Sequence, residues 1–306
     1  MRVLSKHEAC FLFGFTIILS LITLSCNTAP GIGKVGTPKD GTVKAVTIAG
    51  GDTPVVIKLQ PDVIALTKDF ETFWSYWYDS VDLTRDFIPL AADNRQISKY
   101  TFLKQLNTGN YMPVLTQVVR AAHEARQDED QGQYTYQLRP LPEKISSNIP
   151  DVIGRMTTMA LTDFKKEGTE LPDFNLTTIE GKNYTNANCK GKVLVIDTWF
   201  VKCGACVLEM PDLNRWVYQY KNRPDVIFLG LCLDDKKTIQ QFLTHTGFAF
   251  QIVPDGKPYI EKALGVMMFP TKILVNKEGR IVKTGNFKAI KRELAKLVAP
   301  VDLTKP

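Results

Sequence analysis

Cys203-Gly204-Ala205-Cys206 lies where one hydrophobic period gives way to another. Upstream, Val193-Leu194-Val195-Ile196-Asp197-Thr198-Trp199 is a largely apolar run, the pattern of a strand buried on both faces of a parallel sheet. Downstream, Val207, Met210, Leu213 and Val217 recur at helical spacing. A chain that passes from buried strand to helix through Cys-x-x-Cys sets its first cysteine at the helix N-terminus. Unpaired backbone N–H groups and the helix dipole favour negative charge there, and so a thiolate. The second cysteine is one turn in, near enough to attack a mixed disulfide formed by the first. Lys202 adds a positive charge beside Cys203. Two plainer uses of such a pair are half of a zinc site and a permanent structural disulfide. A zinc site needs a second pair of ligands, and Cys189, Cys232 and His245 offer no paired spacing, so no metal is expected.

The surrounding pattern alternates strands and helices. Val226 to Leu231 is a second buried strand, and Asp234 or Asp235 caps a helix with Ile239, Phe242 and Leu243 on one face, ending at Gly247. Tyr259 to Leu264 is a short helix. Thr271 to Val275 and Arg280 to Lys283 form a hairpin about Asn276-Lys277-Glu278-Gly279, and Ala289 to Val298 makes a closing helix. This βαβ–ββα order predicts an α/β domain of three layers around one sheet over residues 168–306. Cys189 precedes the central strand and Cys232 ends the next. In parallel neighbours they fall at opposite edges, beyond the roughly 7 Å between Cα atoms that a disulfide spans. They read as buried free thiols, with a regulatory role for Cys232 as the other reading.

Residues 168–300 resemble the thioredoxin superfamily, and within it the membrane-tethered envelope thiol–disulfide reductases of the TlpA/ResA type. The resemblance rests on Leu171-Pro172-Asp173-Phe174, Gly191-Lys192-Val193-Leu194-Val195-Ile196, Cys203-Gly204-Ala205-Cys206, Glu209-Met210-Pro211 and Phe269-Pro270-Thr271. It implies a thioredoxin-like α/β/α fold and a protein-disulfide oxidoreductase that uses Cys203 and Cys206 and needs no cofactor. It also implies a cis Pro270 against the active-site disulfide, with the backbone of Phe269, Pro270 and Thr271 pairing with a client chain. Pro211 matches a proline that kinks the family's active-site helix. Asp197, six residues before Cys203, matches the buried acid that exchanges protons with the second cysteine. Glu209, three after Cys206, matches an acid linked to thiol acidity and client recognition. For Asp197 the alternative is a strand-end aspartate paired with a lysine, and for Glu209 an exposed first-turn acid favourable to the helix dipole. The chain departs from the family at Lys202, where tryptophan is frequent, and at Ala205, where proline is usual. Both positions border the thiolate, so this chain's own residues set its redox potential.

The N-terminus has the order of an export signal. Arg2 and Lys6 precede an apolar run from Phe11 to Ser25, shorter than the roughly 20 residues a spanning helix needs. Cys26 at its end resembles the lipid-attachment cysteine of bacterial lipoproteins, the alternative being an ordinary cleaved signal with an incidental cysteine. Residues 1–25 are thus expected as a signal peptide and 26–41 as a Gly/Pro-punctuated tether, which puts the protein on the periplasm-facing side of a bacterial envelope membrane. Disulfides form in such a compartment.

Residues 42–165 read as a smaller α+β domain whose role the sequence does not reveal. Thr42 to Ile48 and Val55 to Leu59 are strands, Leu66 to Val81 a helix with Phe70, Phe73, Trp74 and Trp77 at helical spacing, and Ser98 caps a helix through Leu106. The aromatic cluster reads as core rather than as a ligand cradle. Val114, Thr116 and Val118 alternate as a strand, as do Tyr134, Tyr136 and Leu138, with a charged loop from His123 to Gln133 between them. A helix runs from Asp151 to Glu167, with Pro150 in its first turn and Gly168 at its end.

Of 306 residues, 44% are hydrophobic and 23% charged, an ordinary globular balance. The net charge of +6 has no concentrated basic stripe, which excludes a nucleic-acid partner as the reading to prefer. The partners implied are protein disulfides, an upstream thiol electron donor, and a membrane through the N-terminal lipid. A thiol peroxidase on the same fold needs threonine three residues before the attacking cysteine and proline four before that threonine, where this chain has Phe200 and Ile196. The remaining alternative is a lipid-anchored binding module with a sensory cysteine pair.

Overall fold

The computed structural model describes residues 43–48, 55–120 and 132–298. The expected signal segment, Cys26, the tether and the charged stretch from His123 to Asp130 lie outside the described residues. Two five-stranded sheets organise the chain, and their apolar clusters share no residue.

The first sheet has the order β1-β2-β4-β5-β3, from β1 (Val43–Ile48), β2 (Val55–Pro61), β3 (Phe87–Leu90), β4 (Tyr111–Arg120) and β5 (Gln133–Pro140). Its pairings are antiparallel except that β3 runs parallel to β5. The helix expected over 66–81 is α2 (Phe70–Ser80), starting later, behind a separate single turn α1 (Val63–Leu66). Asp69 divides them, because its carboxylate accepts the Thr72 N–H at 2.7 Å and starts a new helix. Phe73, Tyr76 and Trp77 of α2 are buried with Phe102, Leu103 and Leu106 of α3 (Lys99–Leu106) and Ile149 and Ile153 of α4 (Asn148–Lys166). The aromatic segment is therefore core, although Phe70 and Trp74 sit at its rim and Tyr76 takes the inner place. Ser98 caps α3 as expected, accepting the Thr101 N–H at 3.0 Å. Helix α4 begins three residues before Asp151, with Pro150 still in its first turn, where a missing N–H costs nothing.

The second sheet has the order β10-β9-β8-β11-β12, from β8 (Val193–Trp199), β9 (Val226–Cys232), β10 (Gln251–Val253), β11 (Thr271–Val275) and β12 (Ile281–Gly285). Strands β8, β9 and β10 are parallel, while β11 and β12 are antiparallel to their neighbours. Every residue of β8, β9 and β11 is buried, because both faces are covered. Val193 and Val195 pack with Leu213 and Trp216 of α6 (Gly204–Tyr218) and Ile290 and Leu294 of α8 (Phe287–Leu297). Leu194 and Ile196 face the other way, onto Leu171, Phe174, Tyr184 and Ile260. That opposite layer holds the hairpin β6 (Asn175–Thr177) and β7 (Asn183–Thr185), helix α5 (Asn186–Cys189) and a π-helical turn, Pro258–Ala263. Helix α7 (Lys236–Leu243) follows β9 and ends four residues short of Gly247, and α8 starts at Phe287 because Asn286 accepts the Ala289 N–H.

Both outer strands of this sheet have further hydrogen bonds. Beside β10, the Ile179 N–H donates to the Ile252 carbonyl at 2.9 Å. Beside β12, Gly168 N–H donates to Ile281 O at 2.7 Å and Ile281 N–H to Thr169 O at 2.8 Å. Buried Lys283 of β12 meets Asp86 Oδ1, just before β3, at 2.9 Å and Glu167 Oε1, just after α4, at 3.2 Å, so ion pairs as well as chain tie β12 to the preceding elements.

Candidate active site

The β8–α6 junction is held from three sides. Cys203 is the N-cap of α6, where the sequence pattern puts it, and its Sγ accepts the Cys206 N–H at 3.2 Å. The preceding loop is fixed by Asp234, whose Oδ2 accepts the Val201 N–H at 2.7 Å. Asp235 caps α7 instead, accepting the Thr238 N–H at 3.0 Å, so the two neighbouring acids that the sequence left undivided have separate tasks. From β11, Thr198 Oγ1 donates to the Thr271 carbonyl at 2.8 Å.

Cys203 and Cys206 are joined as a disulfide with Cα atoms 5.3 Å apart. Cys203 is the more accessible at 6%, against 1% for Cys206. The Phe269–Pro270 peptide is cis, and the Phe269 ring stands edge-on to Phe200 at 5.4 Å. Thr271 Oγ1 donates to the Met268 carbonyl at 2.7 Å, which holds this turn closed. Apolar side chains stand in solvent on both segments: Leu208 after the pair at 81% and Met267 before the turn at 89%. Cys189 and Cys232 are free, buried thiols, and the Cys232 thiol donates to Asp234 Oδ2 at 3.5 Å. Burial pushes the thiol of Cys232 up, which favours its protonated form.

Asp197 and Glu209 are brought together by a residue that the sequence reading passed over. Lys272, fully buried on β11, places its Nζ 3.1 Å from Asp197 Oδ1 and 2.6 Å from Glu209 Oε2. The pairing follows from register, since Lys272 lies opposite Asp197 across β11 and β8. The available signal was a lone cation inside Thr271-Lys272-Ile273-Leu274-Val275, a strand otherwise built to be buried. Burial raises the Asp197 carboxyl to about 6; the Lys272 ammonium pulls it down and the Glu209 carboxylate adds to the rise. Glu209 follows Cys206 by one helical turn, so both occupy the face of α6 turned toward β8 and β11. The two acids named from the sequence thus share one ammonium. Asp197 is paired with a lysine, and burial still holds its carboxyl above the ordinary carboxylate range.

A family model described as Redoxin matches residues 166–299. The thiol-disulfide oxidoreductase ResA of Bacillus anthracis is 31% identical over 117 residues, spanning 38% of this chain and 67% of the relative. ResA of Halalkalibacterium halodurans is 28% identical over 138 residues, 44% of this chain and 78% of the relative. Among solved structures, a thiol-disulfide oxidoreductase from Bacteroides fragilis aligns with 42% of this chain and all of its own length, at 21% identity and a TM-score of 0.39. With a cysteine pair capping α6, a cis proline before β11 and that degree of identity to ResA, the chain belongs to the ResA-type thiol–disulfide oxidoreductases of the thioredoxin superfamily.

Proposed function

We propose that this protein passes electrons to disulfides of client proteins outside the cytoplasm, anchored to a membrane by lipid on Cys26. The observation that carries the redox reading is the Cys203–Cys206 disulfide at the start of α6, with Cys203 Sγ facing a backbone N–H. In the reduced protein the Cys203 thiolate attacks a client disulfide, forming a mixed disulfide and releasing one client thiolate. Asp197 takes the proton of Cys206, whose thiolate then attacks Cys203 Sγ and releases the second client thiolate. Two electrons leave the protein, its pair closes, and a dithiol donor reopens it. The client backbone lies along Phe269, Pro270 and Thr271, and exposed Leu208 and Met267 favour an apolar segment there. In this reading residues 1–25 are a signal peptide, 26–41 a tether, and 42–165 and 168–306 two domains. Glu209 is its surface carboxylate.

Cys206→Ser tests it. The variant should accumulate mixed disulfides with envelope proteins, visible as adducts that collapse on reduction, while Cys203→Ser should form none. Equal adduct formation by both variants would refute the division of labour between the cysteines. Mass spectrometry of the membrane fraction should find a mature chain that starts at a diacylglyceryl-modified Cys26.

A further inference from the structure

A fully buried lysine that touches two carboxylates from two other elements has a role beyond filling space. Lys272 is fully buried, Asp197 nearly so, and Glu209 keeps about a third of its side chain in solvent. Across the sheet the neighbours are silent: Gly230 stands opposite Asp197 on β9, and Gly285 stands opposite Lys272 on β12. From α6 the charged group reaching this point is Glu209. The charges that act on Asp197 are therefore the Lys272 ammonium and the Glu209 carboxylate, with opposite signs.

We infer that Lys272 is a positioning residue for the resolving step, keeping the Asp197 carboxylate in its base form while Glu209 competes for the same ammonium. The inference rests on the reading of Asp197 as the group that takes the Cys206 proton. Its geometry gives two opposed consequences. Without the ammonium, a carboxyl sealed between β8 and α6 holds its proton to higher pH, and the Cys206 thiol loses its acceptor. Without the Glu209 charge, the ammonium acts on Asp197 alone, and the base form persists to lower pH. A lysine paired with a carboxyl that takes no part in resolution would leave the pH dependence of that step unmoved.

The experiment follows closure of a glutathione mixed disulfide on Cys203, started by adding glutathione disulfide to the reduced full-length protein, from pH 5 to pH 9. The parent should show an acid limb centred near the Asp197 value of about 6. Asp197→Asn should abolish that limb. Lys272→Met should move it up by about one pH unit or more, the usual scale for losing an opposite charge in contact. Lys272→Arg, which keeps the charge, should restore it, and Glu209→Gln should move it down. Should Lys272→Met not fold, Glu209→Gln still decides by its sign. An acid limb unmoved by Lys272→Met and Glu209→Gln, yet abolished by Asp197→Asn, overturns the role of Lys272 and leaves Asp197 as the base. A parent-like limb in Asp197→Asn overturns the Asp197 reading and this one with it.

Discussion

Asp197 in its charged form is a cost to the fold. Its carboxyl titrates near 6 in the folded protein, above the ordinary 3.8, chiefly because it is buried. Between those values the folded chain keeps a proton that the unfolded chain has released, so stability falls as pH rises through the interval, and the whole loss is present above it. Asp197→Asn should therefore unfold at higher urea than the parent at pH 7, by on the order of 2–3 kcal/mol. The difference should fade as pH falls through the unfolded value of 3.8, below which the carboxyl is neutral in both states. Parity at pH 7 would mean that the Lys272 ammonium already offsets the burial completely. Replacing the acid should thus stabilise the protein while slowing resolution of its mixed disulfide, a combination expected of a group kept for chemistry.

At the scale of elements, β9 is shaped by what lies over Gly230. A Cβ there would meet Phe248 Cε1 at 2.8 Å and Trp199 Nε1 at 3.2 Å, so Gly230→Ala must displace an aromatic ring beside the active-site loop. Such overpacking should cost about 1–3 kcal/mol in chemical denaturation, and an unchanged midpoint would show that the rings yield freely. Strand β9 was legible in the sequence, as were β8, α6 and the hairpin of β11 and β12, because long apolar runs and capping residues mark them. The three-residue strands β6, β7 and β10 were not, since so short a segment has no period to read. β3 escaped for another reason: Phe87-Ile88-Pro89-Leu90 carries a proline that argues against a strand, yet it lies at the sheet's edge, where proline is tolerated. At the site, Cys203, Cys206 and Pro270 could be named from spacing and resemblance. Lys272 could not, because its meaning depends on which residue β11 sets opposite it, and register is invisible along one strand.

For the whole molecule, Lys283 is the buried cation between the two sheets' territories. Its ammonium serves Asp86, before β3, and Glu167, just after α4, while only Glu167 of the two acids is itself largely shielded. Lys283→Met should cost about 3 kcal/mol, at the low end for breaking a buried pair, because Asp86 stays hydrated. It should also speed proteolysis near residue 168, where α4 hands over to the second sheet. A parent-like unfolding curve and digestion pattern would show that packing alone joins the parts.

The backbone bonds at the sheet's margins bear on what this protein meets at work. A client with broken or wrong disulfides arrives with unpaired strands, and an open sheet offers such strands a template on which to pile up. Here the flank of β10 is occupied at Ile252 by Ile179, and the flank of β12 at Ile281 by Gly168 and Thr169. A misfolded chain that reaches the cysteines finds the margins of this sheet already taken at Ile252 and Ile281, and cannot zip onto it there.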